Sequence, residues 1–506
     1  MASQTPLLDL FVIGGGINGT GIANDAAGRG LRVALCEQRD LASATSSASS
    51  KLIHGGLRYL EHREFRLVRE ALKEREVLLK KAPHIIWPLR FILPHRPHLR
   101  PAWMIRTGLF LYDHLGKRDS LAGSRRLRFA GQGPLKPEIT QGFEYSDCWV
   151  DDARLVVLNA LQAKQQGAEI LVGTRCVQAR QVDDVWEVTL EESASGRRQT
   201  RRARALVNAA GPWVEEFIRE GTERRSRYGI RMIQGSHLIV PRIHDDERAY
   251  ILQNQDGRIV FVLPYQQDFS LIGTTDRRYR GDPAQVRISD EETGYILAVV
   301  NEHFRTQLSR DDVVSSYSGV RPLCDDESTD PSAMTRDYTL DLDTQGPPLL
   351  SVFGGKITTY RKLAESALAQ LAPHLPDMGP AWTAESPLPG GNIGSQAAFV
   401  ARLLADYPFL GEARARRFAA SYGSLCLEFL RDCRGEADLG EDFGAGLSRR
   451  EVDYLVEREW ARSAEDILWR RTKLGLRLSD TELQRLEAYL AEHLTPPATT
   501  TREAAS

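Results

Sequence analysis

Val12-Ile-Gly-Gly-Gly-Ile-Asn-Gly-Thr-Gly-Ile-Ala-Asn-Asp-Ala-Ala-Gly-Arg-Gly30, followed by Val33-Ala-Leu-Cys-Glu37, reads as a short apolar strand, a glycine turn, a helix of small residues and a second strand closed by an acid. Gly14, Gly16 and Gly19 form a G-x-G-x-x-G pattern. The first glycine permits a tight turn, the second a close backbone approach to a pyrophosphate, and the third tight packing of helix on strand. The helix N-terminus offers free N–H groups and a positive dipole end to phosphates. Glu37 falls about twenty residues further on, where a carboxylate accepts hydrogen bonds from a ribose. The order of elements predicts a βαβ unit that binds a dinucleotide. It does not say which one.

A chain of 506 residues is too long for one simple core and predicts two or three domains. Sixty-six basic against 68 acidic side chains leave a net charge of −2, so no global field points to nucleic acid. The six cysteines (Cys36, Cys148, Cys176, Cys324, Cys426 and Cys433) are scattered without a C-x-x-C pair. That pattern argues against a disulfide framework or a metal site and fits reduced thiols in a cytosolic setting. No secretory leader precedes the first strand, and no apolar run approaches the eighteen or so residues of a membrane span.

Ala42–Ser50 is a run of small polar residues. By composition it is a flexible linker; by position it is a loop packed against a cofactor. Glu61–Lys81 has the spacing of a charged amphipathic helix, with Phe65, Val68, Leu72 and Leu79 on one face. Ala168–Val177 and Trp186–Leu190 read as strands, the second leading into a polar turn and the basic run Arg197–Arg204. Leu206–Trp213 and Leu349–Ala364 each run from strand into a glycine turn. Between Ile230 and Thr275, short Ile/Val-rich runs separated by turn residues predict an antiparallel sheet. Beyond a break at Ser386–Asn392 the spacing is helical over Asp406–Tyr422, Ser448–Ser463 and Ser479–Leu494, and Ser479 and Glu482 form a capping box.

The expected architecture is α/β with an α+β insert. A Rossmann-like dinucleotide-binding domain, an antiparallel-sheet substrate domain and a helical C-terminal domain make it up. The oxidoreductase region covers about 1–385, with dinucleotide-binding parts near 1–75, 150–215 and 335–385; helices fill about 390–495 and a disordered tail about 496–506. Only one complete nucleotide fingerprint is present. Two arrangements stay open: a soluble nicotinamide exchanged at each turnover, or a resident flavin reduced by substrate and reoxidised elsewhere.

Several motifs resemble those of the FAD-dependent glycerol-3-phosphate dehydrogenases, in their bacterial aerobic respiratory branch. They are the first βαβ unit with Asp25, Arg29 and Gly30; Ser46–Leu60; Arg96–Arg118; Glu144–Ala153; Gly235-Ser-His237; Gly273-Thr-Thr-Asp276; Gly319–Leu323; Gly354–Ala364; Asp438–Phe443; and Trp469–Lys473. The likeness covers nearly the whole chain. It implies FAD without NAD, oxidation of sn-glycerol 3-phosphate to dihydroxyacetone phosphate, and a quinone acceptor at the membrane. It implies cofactor contacts from Gly14, Gly16, Gly19, Glu37, Ser46, Ser50, Lys51, His54, Val177, Gly211, Gly355, Lys356 and Thr358.

A phosphomonoester carries close to two negative charges, so its pocket needs convergent cations, guanidinium forks above all. Arg58, Arg321, Arg336 and Lys356 lie in the resembling motifs. Tyr59 sits beside the first, and Thr274 is a further hydrogen-bonding candidate. Arg321 stands next to Pro322 among apolar residues, and Lys356 occupies a glycine turn at a helix start. Both placements favour a ligand over a solvated ion pair. Loss of a hydroxyl proton needs a base, and a histidine suits that task at neutral pH. His237 matches the family's active-site histidine, with Arg321 or Lys356 stabilising a developing alkoxide.

Between Phe91 and Arg118, the cations Arg96, Arg100, Arg106 and Arg118 alternate with Trp103, Met104, Phe110 and Leu111. The mixture suits the headgroup boundary of an anionic membrane, against the alternative of an ordinary helix packed on the core. With the resemblance, this predicts a cytoplasmic protein held peripherally on the inner face of the inner membrane. The helical C-terminal region is expected either to build a homodimer or to cover the dinucleotide domain. An oxygen-using glycerol-3-phosphate oxidase, or a flavoenzyme acting on an amino or 2-hydroxy acid, are the rival readings. The long mid-chain insertion of the oxidases is not evident.

Overall fold

A computed structural model describes residues 6–61, 63–96, 101–116, 118–325 and 338–494. The expected tail, Arg100 and Arg336 lie outside them. Two sheets carry the oxidoreductase region. In the first, Leu8–Ile13 lies between Val33–Glu37 and Arg198–Asn208, all parallel, with Glu169–Val172 beyond the former and Leu349–Gly354 beyond the latter. Tyr338–Asp343 closes one edge antiparallel. Both faces of the sheet are covered at its centre: Leu10, Val12, Leu35, Val207 and Leu350 are buried against helices, and Phe11, Ile13, Cys36 and Leu206 against Trp186 and Val188 of an antiparallel hairpin.

The covering layer contains Ile17–Gly28, Asp152–Gln165 and Tyr360–Leu371. The first is made of small residues so that its neighbours can come close. Asn24 donates to both Asn159 (3.1 Å) and Gln162 (2.9 Å) on the second helix, which pairs the buried amides with each other.

The second sheet has ten strands. Ile230–Pro241 is its hub, paired antiparallel with Phe269–Gly273 on one side and Ser315–Cys324 on the other. The expected antiparallel run is present, with one departure: Ala249–Gln253 joins Ile86–Pro94 in parallel. That join cannot be read from strand composition, because the partners lie far apart in the chain.

Four further expectations shift. Ala168–Val177 is not one strand: Gly173, at φ 67°, divides Glu169–Val172 in the parallel sheet from Thr174–Val182 in an antiparallel hairpin. The basic run Arg197–Arg204, to which the sequence assigned no element, is from Arg198 the first half of a strand whose charges alternate outward, where Arg198 pairs with Glu191 across the ladder at 2.8 Å. The Phe91–Arg118 stretch begins as strand, and its helix is confined to Ala102–His114. Asp406 ends a helix, Gln396–Asp406, so the helix expected from it begins only at Gly411, past Pro408, and runs to Ser421, while that from Ser448 stops at Arg458.

The helical domain shares a core with the first domain. Leu155 and Leu158 of the covering layer pack in one apolar cluster with Phe418, Leu455 and Ile467. Ser479 and Glu482 form the expected reciprocal cap of Asp480–Leu494. All six cysteines are buried and none is bonded to another.

Candidate active site

A cavity of about 1090 Å³ runs from the glycine turn after Leu8–Ile13 to the hub strand of the second sheet. It exceeds the roughly 300–1,000 Å³ usual for a single small ligand, leaving room for a dinucleotide together with a substrate. Sixteen of the expected site residues line it: Gly14, Gly16, Glu37, Ser46, Ser50, His54, Arg58, Tyr59, Val177, Gly211, His237, Thr274, Arg321, Gly355, Lys356 and Thr358.

One end is made of backbone. Gly14 has φ 109°, and a Cβ there would lie 2.4 Å from the carbonyl oxygen of Ala209, so no other residue fits the turn. Gly19 does not line the cavity. Its task is packing, since a Cβ would meet the carbonyl oxygen of Gly14 at 1.9 Å. Gly16 caps the helix and, as a glycine, puts no side chain of its own between the helix start and the cavity. Glu37 accepts from the backbone of Gly15 (2.7 Å) and Arg39 (2.9 Å), which fixes its carboxylate at the cavity edge. Burial pushes its pKa up despite these two bonds. Ser46 accepts from the backbone of Ile17 (3.0 Å), binding the small-residue loop to the helix start. This helix end, open toward a cavity with a carboxylate beside it, fits the pyrophosphate and ribose of a dinucleotide.

The other end is made of side chains. Arg321 ion-pairs with Asp276 through Nη1 and donates to the Thr274 hydroxyl through Nη2 (3.0 Å). Gly235 makes room for that guanidinium, because a Cβ there would stand 2.4 Å from Nη2. Lys356 lies 3.9 Å above the Tyr59 ring, a cation–π contact that stabilises the ammonium where it faces the cavity. Arg58 donates to the carbonyl of Gly257 (3.2 Å). His54 is tied to the glycine turn through its backbone N–H, which donates to Thr358 (3.3 Å). Its neighbour Gly55 donates to the Tyr112 hydroxyl (2.8 Å), which donates in turn to Asp147 (2.6 Å).

His237 is 2% exposed. Its Nε2 is 2.9 Å from the Ser50 hydroxyl and its ring stacks on Tyr317. Nδ1 has no hydrogen-bond partner among the described residues. Burial, then the charges of Arg321 and Lys51, hold its pKa well below the usual histidine range. The imidazole is therefore neutral at physiological pH, with the lone pair that a base requires. An incoming dianion would offset the two cations and raise its proton affinity as substrate binds.

Lys51 is placed otherwise than a cofactor contact through its ammonium would need. The group turns away from the main cavity into a buried pair with Asp152 (2.7 Å). Two residues were missed by sequence reasoning. Asp276 lies in the quoted Gly273–Asp276 motif, a signal that was there to be used. Tyr317, which stacks on His237 and donates to the Ser49 carbonyl (2.8 Å), gave no local signal.

Residues 9–361 match the model of the FAD dependent oxidoreductase family, and 381–495 match that of the C-terminal domain of alpha-glycerophosphate oxidase. The chain is 64% identical over 496 residues to a glycerol-3-phosphate dehydrogenase of Pseudomonas aeruginosa, covering 97% of each. It is 60% identical over 488 residues to the aerobic glycerol-3-phosphate dehydrogenase of Escherichia coli, covering 96% of this chain and 97% of that one. Among solved structures, a glycerol-3-phosphate dehydrogenase from Bacillus halodurans complexed with FAD superposes with a TM-score of 0.74 at 28% identity, covering 98% of this chain and 90% of that one. The cavity, its open helix end and its cationic far wall thus belong to a member of the FAD-dependent oxidoreductase family, in the glycerol-3-phosphate dehydrogenase branch.

Proposed function

We propose that this chain oxidises sn-glycerol 3-phosphate to dihydroxyacetone phosphate with FAD bound along the main cavity, and that a membrane quinone takes the electrons onward. The observation that carries this reading is that Arg321, Lys356 and a neutral, buried His237 line one dinucleotide-sized cavity, with the Arg321 charge acting on His237. The names of the close relatives support the same substrate. FAD, when bound, supplies the acceptor for the hydride lost from C2.

The chain supplies the rest. Gly14, Gly16, Glu37 and Ser46 hold the ADP half, while Ser50, His54, Gly355 and Thr358 line the far half. Arg321, Arg58 and Lys356 neutralise the phosphate, with Arg336 as a further candidate, and Tyr59 and Thr274 complete the wall. His237 takes the C2 hydroxyl proton on a ring nitrogen, and Arg321 or Lys356 steadies the oxygen as its charge grows. The Thr274 and Asp276 contacts keep Arg321 in one orientation before substrate arrives, which lowers the ordering cost of binding.

Among the described residues no helix is long and apolar enough to cross a membrane. The helix Ala102–His114 buries Ile105, Leu109 and Tyr112 and turns Trp103 (68% exposed), Met104, Phe110 (59%) and Leu111 outward. An apolar face of this kind, carrying a tryptophan, suits insertion to headgroup depth. We therefore read this helix as the contact with the cytoplasmic face of an anionic inner membrane. The helical C-terminal domain we read as a cover for the FAD-binding domain, and the mass of the protein in solution decides whether a homodimer forms as well.

One experiment tests the core of the reading. Anaerobic addition of glycerol 3-phosphate to the purified protein should bleach its visible flavin spectrum, and a soluble quinone should restore it. Bleaching by an amino or 2-hydroxy acid instead would replace the substrate; stoichiometric hydrogen peroxide in air would replace the acceptor.

A further inference from the structure

The stretch Trp469–Lys473 belongs to the helical domain, yet its cations end beneath the dinucleotide-binding region. Arg471 is fully buried and sets Nη1 and Nη2 each 2.7 Å from an oxygen of Asp40. Arg470 reaches the same carboxylate with Nε at 2.6 Å. Lys473 donates to Asp151 at 3.1 Å. Asp40 lies three residues past Glu37, at the start of the small-residue loop. Asp151 immediately precedes Asp152, whose carboxylate takes the Lys51 ammonium (2.7 Å) and the Ser49 hydroxyl (2.7 Å) at the end of that loop. Three cations within four consecutive positions of one domain therefore meet the anchors at both ends of a loop in the other.

The loop needs such anchors. Ala44, Thr45, Ser46 and Ala48 face the main cavity, and behind them lies a second cavity of about 560 Å³, bounded by Trp213, Tyr317, Trp469 and Lys473. A wall with space on both sides has no packed core to fix it, and its small side chains bury little apolar area. What holds it is polar rather than apolar: Thr45 donates to the Val320 carbonyl (2.7 Å), Ser46 accepts from Ile17, Tyr317 donates to the Ser49 carbonyl (2.8 Å) and the Lys51 ammonium donates to the Ser47 carbonyl (3.0 Å). Buried ion pairs gain little net stability over apolar residues of the same size, and their best-attested use is to fix one geometry.

We infer that Arg471 and Lys473, together with Arg470, are positioning residues of the flavin site, so that the helical domain holds the Ala42–Ser50 loop in the shape that grips FAD. The inference rests on the assignment of the main cavity to FAD. It makes the C-terminal domain a part of the cofactor site.

Asp40→Asn and Lys473→Met test it in the full-length holoenzyme. Neither should prevent folding. Without the Asp40 charge, Arg471 keeps the Glu459 carbonyl and Arg470 keeps Glu465 and Asp466. Without Lys473, Asp151 still caps the backbone of Arg154. The readouts are the rate of FAD release on dilution, followed by flavin fluorescence, and the melting temperature with and without excess FAD. Release should quicken on the order of tenfold in each variant, and excess FAD should recover the lost melting temperature by mass action. Lys473→Arg should release FAD at close to the original rate. Unchanged release, or a melting loss that excess FAD does not recover, would overturn the inference and leave these residues as a structural prop. Gly16→Val, which places a side chain across the pyrophosphate path, is the control. If it too leaves release unchanged, the cavity assignment has failed; if it alone quickens release, only the role of the helical domain has.

Discussion

The two ends of the main cavity are built on opposite principles. At the end we assign to the ADP half the working parts are mostly backbone: a turn that only Gly14 can make, a helix start capped by Gly16 with no side chain of its own, and one carboxylate fixed by two N–H groups. They come from one stretch of some thirty residues. At the substrate end the working parts are side chains: His237, Thr274, Arg321 and Lys356 arrive from four strands and turns, and Tyr59 from a fifth segment. A backbone site tolerates no added atom but needs little help from elsewhere. A side-chain site tolerates small shifts, and each group must be steered by a neighbour: Arg321 by Asp276 and Thr274, His237 by Ser50 and Tyr317.

The contrast can be broken most directly at the chemistry. His237→Asn should slow anaerobic reduction of the flavin by roughly 10²–10⁴-fold, the usual worth of a positioned base, with FAD still bound. Stopped-flow bleaching measures it, and an unchanged rate removes His237 from the role. Next comes a methyl group at each end. Gly14→Ala drives its Cβ against a fixed carbonyl and should yield protein without flavin, read from the absorbance ratio of flavin to protein. Gly235→Ala meets only side-chain ends, the Arg321 guanidinium (2.4 Å) and the Thr274 hydroxyl (2.7 Å), so FAD should stay while KM rises about tenfold. Equal outcomes for the two would erase the distinction. Arg321→Ala should raise KM by about 10- to 100-fold, since a charged hydrogen bond contributes roughly 1.5–3 kcal/mol.

Two smaller effects sharpen the picture away from the chemistry. Trp103→Ser with Phe110→Ser should release the protein from anionic liposomes in a flotation assay and leave anaerobic bleaching unchanged. Persistent flotation would move the membrane contact elsewhere. His84 sits at the seam behind the ADP end, where its carbonyl accepts from Gln396 of the helical domain (2.6 Å). Burial, then the charge of Arg154, lowers its pKa from 6.5 to about 3. The unfolded chain therefore binds a proton that the folded one refuses. Stability should be intact above pH 6.5 and fall by about 1.4 kcal/mol per pH unit below it. His84→Leu should flatten that slope in chemical denaturation between pH 6.5 and 4.5; an equally steep slope would assign it to other groups.

The same contrast explains what could be read in advance. The first βαβ unit is legible because its determinants are neighbours: apolar strand, glycine turn, small-residue helix and terminal acid follow in order. The Ile/Val runs between Ile230 and Thr275 are legible as strands, since period and turn residues are local signals. Their partners are not, and the parallel join of Ala249–Gln253 to Ile86–Pro94 has no local mark. The basic run from Arg198 gives no local strand signal, because its exposed half carries charge where an apolar alternation would mark a strand. Resemblance located the substrate residues, but the reason each is held where it is emerges only in three dimensions. Asp276 beside Arg321, Tyr317 beneath His237 and Asp40 beneath Arg471 all depend on contacts across tens to hundreds of positions.

The burial of all six cysteines acquires a meaning beside a redox cofactor. A thiol reacts with oxidants as its thiolate, and burial works against that form at Cys36, Cys148, Cys176, Cys426 and Cys433. Cys36 is held well above its ordinary pKa and Cys176 is pushed up to about 12. Cys36 and Cys176 line the cavity itself, within reach of whatever escapes the flavin. At neutral pH both stay in the protonated form that peroxide attacks slowly, on the lowest rung of the sulfur oxidation ladder. The fold thus sets two thiols against the cavity in the protonated form, the one least open to oxidation.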